Sequence, residues 1–226
     1  MLATFELEAE CTITAASTQE WGFQDYNLHD QLLNDVSEKI DCEISFRKYT
    51  WGRSLTMLRS GHIDIMLGVR IKDVDESQFY FIGPHDVKNY VMIISKDEIF
   101  TGNANRISNI QRPIGIVSKV YYGASINKYI NHPHFSKNII ELPSPKKIPE
   151  LINRNRISGF IEDRRVVQYW FNKNILNQDN FHAPTPVYNT PVYLAVRKSK
   201  ISKEKIEKIE IWWSRIENKQ LTLSFM

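Results

Sequence analysis

The chain has no long apolar run. Crossing a bilayer as a helix takes about 20 consecutive apolar residues, and the longest candidates here, such as residues 90–94, are strand-length. Residues 1–10 carry three glutamates and no apolar core of the kind an export signal needs. Cysteine is scarce. Cys11 and Cys42 are too few for a disulfide-built scaffold, and neither belongs to a Cys-x-x-Cys or has a histidine partner at zinc spacing. A Gly-x-Ser-x-Gly elbow, a Gly-Lys-Ser/Thr phosphate loop and a His-Glu-x-x-His pair are all missing, so three common enzyme classes lose their usual sequence grounds. His132-Pro133-His134 sits on an extended or turn segment without a nearby acid, and reads as a surface turn rather than a metal site. The formal net charge is only +3, and the basic residues are scattered rather than striped, which argues against a nucleic-acid partner. No repeat and no low-complexity tract is evident.

What is present suits one globular domain or two small ones. The chain has 226 residues, of which 42% are hydrophobic and 24% charged, enough to bury a sizeable core. Residues 11–16 read as a first strand. Leu28, Leu32, Leu33, Val36 and Ile40 then recur at helical spacing, with Asn27 as a candidate N-cap. Residues 42–49 form a second strand, and strand, helix, strand at this length predicts a right-handed parallel crossover. The stretch 51–84 predicts a short helix ended by Gly61, a strand Ile65-Met66-Leu67 buried on both faces, and an aromatic-rich return. Further strands are expected at 90–95, 114–118, 138–142 and 190–196, and helices at 149–155, around Val166 to Phe171, and along Ile206, Ile209, Trp213 and Ile216.

The order Trp51, Arg53, helix, Ser60-Gly61-His62-Ile63-Asp64, apolar strand, Gly68-Val69, then Phe81-Ile82-Gly83-Pro84 resembles the first lobe of the bacterial extracellular solute-binding proteins, family 3. The resemblance continues through Ile114-Gly115-Ile116-Val117-Ser118 and Arg156-Ile157-Ser158-Gly159-Phe160-Ile161-Glu162-Asp163, and covers roughly residues 11–216. It implies a two-lobed, periplasmic-binding-protein-like (type II) α/β fold. Each lobe would be a mostly parallel sheet flanked by helices: residues 1–86 with 191–226 in one, and 87–190 inserted as the other, joined by two hinge crossings. It also implies a periplasmic or extracellular protein whose export signal has been removed, so that Met1 need not be the natural start.

The function so implied is capture of a small polar solute, an amino acid or a related mixed-charge or carboxylate compound, for the membrane permease of an ABC importer. The protein would be a monomer without cofactor or metal, and no enzyme. Two alternatives share the scaffold: a cyclohexadienyl dehydratase-like enzyme, and the sensor domain of a membrane receptor. By the resemblance, Glu20 and Trp21 form one cleft wall, although a tryptophan after a strand is also ordinary packing. Trp51, Gly68 and Val69 line the first lobe. Ser118 and Lys119 fall on a loop that offers N–H groups to an anion. There Lys119 replaces a glycine and Val120 a Ser/Thr, so Lys119 either supplies charge directly or is a solvated surface lysine.

Two expectations rest on position. Cys11 and Cys42 open strands expected to be parallel neighbours about 4.8 Å apart, a separation that permits a disulfide in place of two buried thiols. Arg70 follows the buried strand where side chains reach an α/β crevice. The family's usual carboxylate-binding arginine has no counterpart in residues 73–77, so Arg70 is the nearest cation able to grip a carboxylate with two parallel hydrogen bonds. Asp163 matches the position that meets a ligand ammonium in amino-acid-binding relatives. The competing reading pairs Arg70 with Asp73 or Asp75 and leaves Asp163 as the N-cap of the following helix, or as a catalytic acid.

Overall fold

A computed structural model describes residues 11–17, 26–100, 110–133 and 136–220. Eight strands form one sheet in the order β2-β1-β3-β8-β4-β7-β5-β6. They are β1 (Thr12–Ser17), β2 (Glu43–Lys48), β3 (Ile65–Val69), β4 (Phe79–Ile94), β5 (Ile114–Val117), β6 (Ile139–Leu142), β7 (Gly159–Asp163) and β8 (Thr185–Arg197). The helices are α1 (Tyr26–Ile40), α2 (Trp51–Arg59), α3 (Ala124–Ile130), α4 (Ile148–Asn153), α5 (Arg164–Asn172) and α6 (Lys203–Gln220). None of the described helices is long and apolar enough to cross a membrane.

The sheet is built from two parallel triplets. β2, β1 and β3 run parallel at one end, and β6, β5 and β7 at the other. Long β4 and β8 pair antiparallel between them. β3 docks on the late part of β8 (Met66↔Ala195, Val69↔Tyr193), while β7 docks on the late part of β4 (Tyr90↔Asp163, Ile94↔Gly159). Between these docks, Asp86↔Val192 through Asn89↔Asn189 form a two-stranded ribbon, with no third strand paired to it among the described residues. This ribbon includes residues 86–89 and 189–192, where the two hinge crossings were expected. The ladder passes Gly83-Pro84 and Pro191, shifting register between Ile82 and Asp86 and between Tyr90 and Val91.

Burial follows the apolar pattern. On α1, Leu33, Val36 and Ile40 are buried against β1, β3 and the α6 stripe of Ile206, Ile209 and Trp213. The helix begins at Tyr26, so Asn27 stands in its first turn rather than at its cap. α2 buries Leu55 and Leu58 against Met66 and Val69 of the opposite sheet face. Gly61 follows α2 at φ 82°, a conformation that strains any side chain with a Cβ. At the other end α5 buries Val166, Val167 and Trp170 against Phe160, and α3 buries Ile126 against Ile114 and Ile116.

Cys11 and Cys42 form a disulfide. The β1–β2 register puts Thr12 opposite Glu43, and the Glu43 N–H donates to the Cys11 carbonyl at 2.7 Å. The two cysteines are thus held at the entry of neighbouring strands, with Cα atoms 4.6 Å apart. Glu20, Trp21 and His134 lie outside the described residues. His132 is exposed.

Candidate functional site

The C-terminal ends of the parallel strands in both triplets converge beside the two-stranded ribbon, the end at which open α/β sheets bind ligands. From the first triplet comes Arg70, next after β3. Its side chain is 18% exposed. The Gly68 N–H donates to His85 Nε2 at 3.0 Å, and the Val69 side chain is sealed in the core. Arg70 forms a salt bridge to the buried Asp73 through Nη2 and donates from Nε to its other oxygen at 3.2 Å. The Arg70 N–H donates to the same carboxylate at 3.0 Å. The expected competing pair is therefore present. It does not use the whole guanidinium, because Asp73 grips one edge of a fork that has five N–H donors.

Arg70 also reaches the second triplet. Its guanidinium carbon lies 4.5 Å from the ring centre of Tyr121, on the loop after β5. Such stacking contributes about 0.5–1 kcal/mol at exposed sites and more when desolvated. Tyr121 is set edge-on against Tyr188 of β8. Close by, Gly52 in the first turn of α2 leaves room for the Lys119 stem, whose Cγ would stand 2.9 Å from a Cβ placed there. Trp51 opens α2, half-buried beside Leu55 and Ala16.

Lys119 holds the left-handed conformation at φ 65°, a geometry that favours glycine. The expected anion cradle is different here. The Ser118 N–H donates to the Leu142 carbonyl at 2.9 Å, its hydroxyl donates to the same oxygen at 3.2 Å, and α3 starts only at Ala124. Of this loop, Lys119 is exposed and Tyr121 is half-buried.

Asp163 ends β7 and caps α5, its Oδ1 accepting the Arg165 N–H at 2.9 Å. It is also the centre of a charge network. Arg165 donates from Nε to Oδ1 at 3.2 Å and from Nη2 to Oδ2 at 3.1 Å, and Lys88 Nζ lies 3.8 Å from Oδ2. Arg165 and Lys88 both pair in turn with Asp86 of the ribbon, at 2.6 and 3.3 Å. Burial pushes the Asp86 carboxyl up, but Lys88 and Arg165 outweigh it and hold the group at about 2. Burial likewise opposes the Arg165 charge, and Asp163 and Asp86 reverse that effect and raise its pKa. The sequence reading singled out Asp163 but not its neighbours here: Asp86, Lys88 and Tyr121 carried no signal, since only pairing of distant strands brings them together.

Two further buried groups flank the network. Glu162 precedes Asp163, and burial pushes its carboxyl up to about 8, with the Asp163 charge adding to that and the Asp163 N–H and Lys88 opposing it. His85 is held down at about 3, by burial first and then by neighbouring His29, against the pull of Asp86. The two act on stability in opposite senses. Glu162 is raised in the folded state, so its contribution is full below about 4.5 and is lost as pH rises through about 8. His85 is lowered, so its contribution is full above about 6.5 and is lost as pH falls towards about 3. Thermal melts should show a plateau between about 4.5 and 6.5, where the slopes cancel, and a decline on either side. Glu162→Gln should remove the alkaline decline; an unchanged alkaline limb in that variant contradicts the assignment.

A separate polar cavity of about 420 Å³, lined by Lys96, Asp97, Arg112, Asn155 and Asp179 among others, lies at the opposite strand ends. Among the described residues no cluster of three or more His, Cys, Asp or Glu is placed to hold a metal ion.

No protein-family model and no curated protein sequence matches this chain. Solved structures do. A histidine kinase sensor domain with similarity to periplasmic binding proteins superposes with a TM-score of 0.69, at 15% identity, over 95% of this chain and 94% of that one. An ancestral arginine-binding protein bound to arginine gives 0.68 at 16% identity, over 92% of both chains. An arginine-specific periplasmic binding protein of Salmonella typhimurium gives 0.66 at 14% identity, over 92% of this chain and 94% of its own. The mixed α/β fold expected from the sequence is thus the fold of periplasmic-binding-protein-like structures.

Proposed function

We propose that this chain is an extracytoplasmic solute-binding protein related to family 3, which closes over a small polar, carboxylate-bearing solute. The observation that carries the reading is the reach of Arg70 from one strand triplet to Tyr121 of the other, beside a waist only two strands wide. Residues 1–86 with 191–226 would form one lobe and 87–190 the other. Bending near residues 85–89 and 188–192 would open and close the cleft, and a ligand touching both lobes favours closure by its differential affinity. Arg70, oriented by Asp73 and backed by Tyr121, offers its remaining edge to the carboxylate. Trp51, Lys119 and, outside the described residues, Glu20 and Trp21 complete the walls. The Cys11–Cys42 disulfide supports an oxidising compartment. Delivery by a monomer to the permease of an ABC importer follows from the family reading.

Mass spectrometry of ligand extracted from the purified protein tests the reading, and a polar carboxylate is expected. Small-angle scattering should then show compaction when that ligand is added back. Tight binding with an unchanged radius of gyration counts against lobe closure. A second reading, a ligand-binding sensor domain, is favoured by the likeness to the histidine kinase sensor domain. The surrounding gene decides between them: a membrane span and kinase encoded downstream support the sensor, and an adjoining permease gene the carrier.

A further inference from the structure

The solute-binding reading leaves Asp163 with the duty of meeting a ligand ammonium, and its surroundings speak against that duty. Its side chain is 2% exposed. Oδ1 accepts two N–H groups of Arg165, and Oδ2 accepts a third and faces Lys88. A carboxylate accepts about four hydrogen bonds, so the protein's own cations occupy both oxygens. A ligand ammonium would have to displace one of them while lying against the other, and like charges repel there.

The charges of the cleft agree. Arg70 is balanced by Asp73, and Lys88 and Arg165 are balanced by Asp86 and Asp163. Burial keeps Glu162 protonated at neutral pH. The exposed Lys119 adds a positive charge to this side of the cleft, which complements a carboxylate. A hydroxyl or carbonyl oxygen next to that carboxylate would accept hydrogen bonds from the same cations.

We propose that Arg165 and Lys88 stand in for the ligand ammonium at Asp163, so that the cleft selects a carboxylic acid lacking a 2-amino group over the corresponding amino acid. The inference rests on the solute-binding reading, and the test separates the two. Calorimetry is run on the full chain with matched sets of 2-amino, 2-hydroxy and 2-oxo acids bearing the same side chains. The 2-hydroxy or 2-oxo member of some set should bind at least about tenfold tighter than its amino acid, the scale of one lost charge-assisted contact. Arg165→Gln should shrink or invert that preference. Lys88→Met should shift it the same way, which keeps the idea testable should Arg165→Gln fail to fold. An amino acid that binds wild type as tightly as its analogues overturns the inference and leaves the solute-binding reading standing. A preference that survives in the folded variants overturns the assignment to these cations. Binding of no member of any set overturns both.

Discussion

Breaking the Cys11–Cys42 disulfide should lower stability by about 3–4 kcal/mol, the chain-entropy value for a loop of this size. The bond spans 31 residues of sequence and encloses β1 and α1. Its position makes the effect local as well as global. Among the described residues β2 is an edge strand, hydrogen-bonded only to β1, and three of its six residues are half-buried and the others exposed. Without the cross-link, β2 and α1 would open more readily than the sheet centre, where Ile65, Met66 and Leu67 are wholly buried. Cys42 is also packed under α6, with Lys205 Nζ 3.2 Å from its sulfur. At a few degrees per kcal/mol for a chain of this length, the melting temperature of the Cys11→Ser, Cys42→Ser variant should fall by about 6–16 °C. A fall of less than about 2 °C would show that the packing of α1 and α6 holds β2 without the bond. Thiol titration in denaturant supplies the covalent check, with no free thiol before reduction and two after it.

Replacing Arg70 by alanine should cost about 2–5 kcal/mol of affinity for the extracted carboxylate ligand, the usual loss when one half of a buried charge-assisted contact is removed. Three features set this size. The guanidinium side chain is only 18% exposed, Asp73 holds one of its edges, and the Tyr121 ring lies under its face. The group is therefore oriented before the ligand arrives, and little rotamer entropy remains to be lost on binding. The fold should tolerate the change, because Asp73 keeps the hydrogen bond from the residue 70 backbone N–H. Arg70→Lys separates charge from shape. It keeps the cation but loses the planar fork and the stack, so most of the affinity should go with it. Full affinity in Arg70→Lys would mean that charge alone suffices. Binding within threefold of wild type in a folded Arg70→Ala protein would remove Arg70 from the site.

Elements stabilised by contacts close in sequence were legible, because their cause is local. The helical recurrence of Leu33, Val36 and Ile40 and the continuous apolar run before Gly68 each state which face is buried, and the structure buries those faces, while Ile44 and Phe46 on the edge strand β2 are only half-buried. The disulfide was legible for a related reason. Sequential strands neighbour one another about two-thirds of the time, and β1 and β2, joined by α1, do so here, which brings the residues that open them together.

Long-range pairing was not legible. No local pattern says that residues 79–94 and 185–197 will zip together past Gly83-Pro84 and Pro191. That outcome depends on register shifts that each partner imposes on the other. The charged cleft has the same origin. Lys88 could not be assigned to Asp163, nor Arg70 to Tyr121, from spacings of 75 and 51 residues, since only the shared ribbon places them together. The sequence alone determined which segments are strand or helix, which faces are apolar, and which cysteines can meet, all consequences of short-range sterics and periodicity. Tertiary structure alone decided which opposite charges neutralise one another, and so what charge the cleft leaves for a ligand, because that balance depends on through-space distance in a desolvated site.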